Sequence, residues 1–321
     1  MRVPETDTAS EPIWAHGWYA VVYLWLAAGT LIAFVILHAL GRRPLALGPP
    51  HVHWPLAPAP SLFLVATLMM AGAAAASGAA QAMGLSGEGG LRDGAIASLA
   101  NYGTQLLLMA GIWWALSETL MRRAVGQPEP AGESPPDETS IAATPAVSAQ
   151  SASVTMPVGR ARAAAIGALV MAISWPVTQA AGVIASTVQR SVTGNDVPGT
   201  AHRTLEAMGQ SGDPLWIAVM GLVAVLMAPL VEEVIYRGAL QQALKGIGMP
   251  RIAALLVASA LFALAHWGSL VAGSEAGALT MLTILGLVFG WTYERTGSMW
   301  APVAAHATFN AANLAIFLAQ R

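Results

Sequence analysis

Three short polar motifs interrupt the apolar C-terminal part of the chain, and together they carry residues that could hydrolyse an amide bond. They are "EEVIYRG", which holds Glu232, Glu233 and Arg237, then "FALAH", which ends at His266, then "HATFN", which holds His306 and Asn310. A carboxylate enclosed by apolar walls can act as a general base that draws a proton from water. Imidazole and amide N–H groups can stabilise the oxyanion that forms when this water attacks a carbonyl. The residue types therefore indicate hydrolysis.

The two adjacent glutamates differ in the partners that a helix would give them. Arg237 lies four residues after Glu233, a spacing that favours an ion pair when the acid is on the N-terminal side. Glu232 is left without such a partner, and an ionisable residue alone in an apolar helix indicates function. Pro229 lies just upstream and can kink the helix, which would admit water beside the acids.

The three motifs are predicted to meet at one depth in the membrane. Each lies at a similar separation from a basic residue that marks a helix end: Glu232 from Lys245, His266 from Arg251 and His306 from Arg295. At about 1.5 Å per helical residue, the three side chains lie roughly 17–22 Å from these charges. Three separate helices would thus bring one glutamate and two histidines together.

The same three side chains leave the use of a metal open. Two histidines and a carboxylate are a known zinc ligand set with a vacant catalytic position. A zinc ion held by Glu232, His266 and His306 therefore stays open at this point. The other histidines fall in loops or at the ends of apolar runs, where we expect them to be solvated or interfacial: His16, His38, His51, His53 and His202.

Composition indicates an all-α polytopic membrane protein. Of the 321 residues, 55% are hydrophobic and 10% are charged, whereas soluble domains carry about 25% charged residues. The net charge of −2 gives no indication of nucleic-acid binding, and the lack of cysteine excludes disulfides and thiolate chemistry. A bilayer core needs about 20 apolar helical residues. Eight segments qualify, near 18–40, 61–83, 97–119, 163–188, 215–241, 252–272, 276–293 and 300–319.

The distribution of positive charge predicts the orientation of these segments. More of the lysines and arginines fall on one side than on the other, and cytoplasmic loops carry the excess. This favours an N-out, C-out topology with the catalytic cavity open toward the cytoplasm. The charges assigned to the cytoplasmic side are Arg42, Arg43, Arg122, Arg123, Arg160, Arg162, Lys245, Arg251 and Arg295.

A segment rich in Pro, Ser, Thr and Glu divides the chain. We predict an N-terminal three-helix membrane region over 1–121, a disordered cytoplasmic linker over 122–160 and a five-helix catalytic membrane domain over 161–321. The polar loop over 189–213 is long enough to cap the outer face. Gly286 and Gly290, four residues apart, are expected to let two helices approach closely.

The order and spacing of the three motifs resemble the CPBP family of intramembrane endopeptidases, which includes CAAX prenyl proteases and bacteriocin-processing enzymes. The resemblance covers roughly 216–317, and the usual "EExxFRG" stands here as "EEVIYRG", with Tyr236 in place of Phe. It implies an all-helical fold in which Glu232, assisted by His266, activates water. It also implies that His306 and Asn310 line the oxyanion site, while Arg237 holds Glu233.

The resemblance further implies a reaction without a cofactor, on a membrane-embedded or membrane-anchored peptide or protein. The predominance of arginine over the single lysine, Lys245, indicates a bacterial protein, which we expect in the inner membrane. Two other classes of protein fit the same residues. One is a non-catalytic membrane scaffold or immunity protein, which would be indifferent to loss of Glu232. The other is a proton-coupled transporter, since buried Glu and His also form proton relays.

Overall fold

A computed structural model describes residues 18–39, 54–85, 90–126 and 159–320, and within these ranges the chain is almost wholly helical. The named helices are α1 (Trp18–Ala39), α2 (Pro58–Ala82), α3 (Gly90–Gly126), α4 (Arg160–Thr193), α5 (Arg203–Gln210), α6 (Pro214–Leu222), α7 (Ala228–Glu233), α8 (Gln241–Gly246), α9 (Arg251–Ala265), α10 (Glu275–Thr296) and α11 (Trp300–Leu318). Among these residues the only β pairing is an isolated antiparallel bridge between His202 and Leu270.

Eight helical stretches of the described chain are long and apolar enough to cross a bilayer, which confirms the predicted fold class. Their ends differ from the prediction by a few residues. The third candidate span begins at Gly90 rather than near residue 97, and the fourth runs over Arg160–Thr193 rather than 163–188. The loop predicted over 189–213 also contains the short helix α5. Large apolar side chains such as Trp25 and Phe63 point outward, as a lipid-facing surface requires.

Two compact units divide the chain. The first comprises Met1–Gln105 and Pro157–Arg321, and the second is Leu106–Met156, of which only the later part of α3 is described. All contacts discussed below lie within the first unit. The linker predicted over 122–160 falls mostly outside the described residues, so its disorder stays a prediction, as do the bounds of the three predicted domains and the orientation of the termini.

Close helix contacts in the first unit depend on glycine. A side chain at Gly286 would overlap Ser259 of α9, and one at Gly290 would overlap Leu255 and Gln241. This confirms the predicted close packing through these two glycines. Gly167 of α4 lies in the same way against the backbone of Ala301 at the start of α11.

The span Pro214–Gly246 carries both glutamates and is not a uniform α-helix. Two π-helical segments, Val223–Met227 and Val234–Leu240, flank α7 and widen the helix on either side of the glutamates. Such segments are rare and are frequent at functional sites. Pro229 lies in the first turn of α7, where the chain continues through these wider turns rather than breaking.

The ends of three helices are joined by a buried ionic cluster around Glu294 of α10. Lys245 Nζ lies 2.6 Å and Arg251 Nη2 2.8 Å from its carboxylate, and Gln241 Nε2 donates to it at 2.9 Å. The basic residues predicted to mark one membrane face, Lys245 and Arg251, therefore do lie at one end of the bundle. This cluster fixes the helices that carry the first two motifs relative to one another.

Candidate active site

Glu232, His266 and His306 meet in a cavity of about 530 Å³ inside the helix bundle. Glu232 Oε2 lies 3.7 Å from His266 Nε2 and 3.9 Å from His306 Nε2. The three residues come from α7, the C-terminal end of α9 and α11. The predicted convergence of the three motifs is therefore present in the fold.

Glu233 points away from the cavity into a fully buried polar network. Its Oε1 accepts from Arg237 Nη1 at 3.2 Å and lies 2.8 Å from His306 Nδ1. The exposed fraction is 0% for Glu233 and 1% for Arg237. The ion pair that the i,i+4 spacing predicts is confirmed, and Glu233 also orients one of the two histidines. Arg237 Nη2 donates to the carbonyl oxygen of Gly286 at 3.2 Å, which ties this network to α10.

Aromatic rings enclose the network and fix the histidine rings. The Phe289 ring stacks on His306 with centroids 4.7 Å apart, and the Phe262 ring lies 4.7 Å from that of His266. The Arg237 guanidinium sits 4.5 Å from the centre of the Phe262 ring, a cation–π distance. Tyr236, which replaces the phenylalanine of the usual motif, packs edge-on against Phe262 with centroids 5.3 Å apart. The aromatic ring at this position thus belongs to the frame of the site.

Hydrogen bonding at Nδ1 determines which ring nitrogens face Glu232. His266 Nδ1 lies 2.8 Å from the carbonyl oxygen of Phe262, which can only accept, so Nδ1 must carry a proton. His306 Nδ1 faces the Glu233 carboxylate and is a donor on the same ground. When each imidazole is neutral, Nε2 therefore presents a lone pair toward Glu232. Three acceptor atoms, one oxygen and two nitrogens, converge on one point of the cavity.

The two carboxylate oxygens of Glu232 have different surroundings. Oε1 accepts a hydrogen bond of 2.6 Å from the Tyr102 hydroxyl, which comes from α3. Oε2 is buried and has no hydrogen-bond partner among the described residues, although both Nε2 atoms lie near it. An unsatisfied buried oxygen is costly in a fold and is commonly retained for function. The oxygen that faces the histidines is thus free to accept a proton.

Asn310 lies one turn beyond His306 on α11 and reaches the same cavity. Its Nδ2 donates to the carbonyl oxygen of Ala224 at 2.7 Å. One of its two amide hydrogens is therefore engaged with backbone, and the other is left for a ligand.

His202 lines the cavity although the sequence predicts a solvated or interfacial residue, so that prediction is wrong for this histidine. It precedes α5, and its Nδ1 accepts from the Thr204 N–H at 3.2 Å, which leaves the proton of the neutral ring on Nε2. Burial, with a smaller effect of the nearby His266, lowers the pKa of His202 from 6.5 to about 4, and Glu232 opposes the shift. His202 is therefore a neutral hydrogen-bond donor near neutral pH.

The family model described as Type II CAAX prenyl endopeptidase Rce1-like matches residues 214–312. The match covers about a third of the chain, so it is this segment that resembles the family. The matched segment contains all three polar motifs and runs from the start of α6 into α11. No curated protein and no solved structure matches the chain. The segment with the three motifs is thus similar to CAAX-type prenyl endopeptidases, and it lies in a chain with eight candidate membrane spans.

Two groups near the three polar motifs lie outside the matched segment. Tyr102 belongs to "NYGTQ", a polar run in the middle of the apolar helix α3, and this interruption is the signal by which it could have been found. His202 is preceded and followed by polar loop residues, and nothing in its sequence context distinguishes it from a solvated histidine. Both were missed because the motif resemblance covers only the C-terminal part of the chain.

Proposed function

We propose that the protein is an intramembrane endopeptidase that hydrolyses a peptide bond of a membrane-embedded or membrane-anchored peptide or protein, in a bacterial inner membrane. The single observation that supports this is the approach of Glu232 Oε2 to His266 Nε2 and His306 Nε2 inside a cavity of the helix bundle. The family match over residues 214–312 supports the reaction class, and the roles of individual residues are part of the proposal.

Glu232 acts as the general base. A water molecule between Oε2 and the lone pair of His266 Nε2 donates a hydrogen bond to each, which directs its own lone pair toward the substrate carbonyl carbon. As the water oxygen forms a bond to that carbon, its proton passes to Glu232 and the carbonyl π electrons move to oxygen. His266 is held for this task by the bond between Nδ1 and the Phe262 carbonyl.

The oxyanion is stabilised by His306 and Asn310. In its imidazolium form His306 carries an N–H on both ring nitrogens, one facing Glu233 and the other facing the cavity. Asn310 lines the same cavity, and its second amide hydrogen supplies a further donor. Donors that are already in place before the charge develops lower the barrier without reorganisation. Glu233 and Arg237 hold His306 in position and do not exchange protons with the substrate.

Collapse of the tetrahedral intermediate completes the reaction. The electron pair on the oxyanion re-forms the carbonyl, the carbon–nitrogen bond breaks, and the proton held by Glu232 passes to the departing amine. Glu232 is then a carboxylate again, and the products are a carboxylic acid and an amine. One water is consumed, and no other reactant is needed.

We further propose that the reaction proceeds without a metal, and zinc is the alternative to be tested. Glu232, His266 and His306 offer the donor types of a zinc site. A bound zinc would act as a Lewis acid on water. Cleavage that persists after treatment with a strong chelator supports the metal-free reaction, and loss that zinc restores contradicts it.

The proposal is tested by comparing membrane proteomes of wild-type cells and cells carrying Glu232→Ala. The expected result is a membrane protein or peptide whose new terminus is present only in the wild type, with equal amounts of the two enzyme forms. A phenotype of gene loss that is restored equally by wild type, Glu232→Ala, His266→Ala and His306→Ala would contradict an enzyme. That outcome would instead support a membrane scaffold of the same fold.

A further inference from the structure

The hydroxyl group of Tyr102 is the shortest contact that the catalytic glutamate makes, and it comes from the N-terminal three-helix region. Tyr102 Oη donates to Glu232 Oε1 at 2.6 Å, a distance typical of a hydrogen bond to an ionised acceptor. Tyr102 lies far outside the segment 214–312 that the family model matches. It lines the same cavity as both histidines.

We propose that Tyr102 is a positioning residue for the proposed protease reaction: its hydroxyl fixes Glu232 Oε1, so that Oε2 is the oxygen presented to His266 and His306. The inference rests on the proposed function of Glu232 as general base. It makes the active site a composite of the family-matched helices and α3.

The need for such a contact follows from the geometry of a glutamate side chain. The last torsion angle of glutamate is broad and roughly two-fold, so the carboxylate of Glu232 can rotate freely unless something holds it. Glu233 is held by Arg237 and His306, whereas neither histidine is within hydrogen-bonding distance of Glu232. The Tyr102 hydroxyl is the one hydrogen bond to the Glu232 carboxylate found among the described residues. General-base catalysis loses efficiency when the base leaves hydrogen-bonding reach of the water.

The position of Tyr102 depends in turn on the docking of α3 on α2. Gln105, one turn after Tyr102 and 5% exposed, donates from Nε2 to the carbonyl oxygen of Leu68 at 3.1 Å and to Asn101 Oδ1 at 3.3 Å. Gly72 makes this approach possible, because a side chain there would collide with Asn101 and Gln105. A glycine and an amide on neighbouring helices therefore set the distance between the Tyr102 hydroxyl and Glu232.

The test uses the full-length protein reconstituted in liposomes of phosphatidylethanolamine and phosphatidylglycerol. Cleavage is followed with the best-cleaved member of a library of fluorescence-quenched peptides that carry an internal apolar segment. Tyr102→Phe removes one hydroxyl group and leaves the ring. Tyr293→Phe is the matched control, because Tyr293 is buried in α10 and does not line the cavity.

We expect Tyr102→Phe to lower kcat roughly ten- to a hundredfold, because hydrogen bonds to charged groups carry that much free energy. KM should change by less than about twofold, since the hydroxyl acts on the base and not on substrate binding. The thermal unfolding midpoints of Tyr102→Phe and Tyr293→Phe should agree. If Tyr102→Phe does not accumulate in the membrane, Gly72→Ala tests the same inference. The added methyl group pushes α3 away from α2 and so moves the Tyr102 hydroxyl relative to Glu232, which should lower kcat and leave KM unchanged.

A spectroscopic measurement separates a positioning role from a structural one without any substrate. The infrared bands of the Glu232 carboxyl group are identified by their loss in Glu232→Gln. They should shift in Tyr102→Phe and stay in place in Tyr293→Phe. A Tyr102→Phe variant with the kcat and the carboxyl bands of the wild type would overturn the inference. If Glu232→Gln itself cleaves at the wild-type rate, the proposed function fails instead, so the two failures are distinguishable.

Discussion

Asn310 Nδ2 donates to the carbonyl oxygen of Ala224 at 2.7 Å, across the interface between α11 and the first π-helical segment. In that segment the Ala228 N–H bonds to the Val223 carbonyl oxygen, five residues back. The next such bond would join residue 229 to Ala224, but Pro229 has no N–H. The Asn310 amide therefore supplies the hydrogen bond that Pro229 cannot donate. Without it, the Ala224 carbonyl group would have no hydrogen-bond partner inside the membrane.

This relationship predicts a coupling between Asn310 and Pro229. Asn310→Ala should lower the free energy of unfolding by about 1–3 kcal/mol, because it leaves the Ala224 carbonyl unpaired. In a Pro229→Ala background the loss should be smaller, since residue 229 then supplies an N–H. Thermal unfolding of the four proteins in detergent measures the coupling as a double-mutant cycle. Equal losses in the two backgrounds would show that the proline does not create the need for the amide.

The buried pair of Glu233 and Arg237 predicts a large cost when one partner is removed. Arg237→Met should destabilise the fold by about 3–5 kcal/mol, because it removes the guanidinium partner of a fully buried carboxylate. The double variant Glu233→Gln/Arg237→Met should regain part of this stability. It should not regain cleavage, because His306 then lacks the carboxylate that orients it. Unfolding and peptide-cleavage assays on the same preparations check both statements, and an Arg237→Met protein as stable as wild type would contradict them.

The lowered pKa of His202 predicts that the folded protein loses stability in acid. Its pKa is lowered from 6.5 to about 4 in the folded protein, chiefly by burial. The unfolded chain therefore binds more protons between these two values, and stability contributed by the neutral form is lost as the pH falls from 6.5 to 4. Above pH 6.5 the residue contributes no pH dependence.

His202→Asn tests this sensitivity. Asparagine can still accept from the Thr204 N–H as a helix N-cap, but it does not titrate. The unfolding midpoint of His202→Asn should therefore fall less steeply than that of the wild type across this pH window. His38→Asn, which removes an exposed histidine of α1, should behave as the wild type. A His202→Asn protein with the wild-type slope would show that this histidine is not the source.

The fold class and the convergence of the three motifs could be predicted from the sequence, for physical reasons. Apolar length determines a span, and the separation of Glu232, His266 and His306 from basic helix ends determines their depth. The Glu233–Arg237 pair follows from helical spacing alone. These features depend on local sequence and on the thickness of a bilayer.

The remaining features of the site depend on which helices become neighbours, and no local pattern contains that information. The contact between Tyr102 and Glu232 joins helices separated by a long stretch of chain, and it depends on a glycine of a third helix. The hydrogen bond from Asn310 to the Ala224 carbonyl group depends on the π-helical geometry of this segment. Pro229 is the only sign of that geometry in the sequence. His202 becomes a cavity residue only because its loop pairs with Leu270.

The central claim is that Glu232 is the general base of a peptide-bond hydrolysis, and the most direct test is the cleavage rate of Glu232→Gln in liposomes. The substitution keeps the shape of the side chain and removes its basicity. Glu206→Gln, at an exposed glutamate of α5 outside the cavity, is the control. Glu232→Gln should lower kcat roughly a hundred- to ten-thousandfold, with an unfolding midpoint close to that of the control. A Glu232→Gln protein that cleaves the same peptide at the wild-type rate would contradict the assignment.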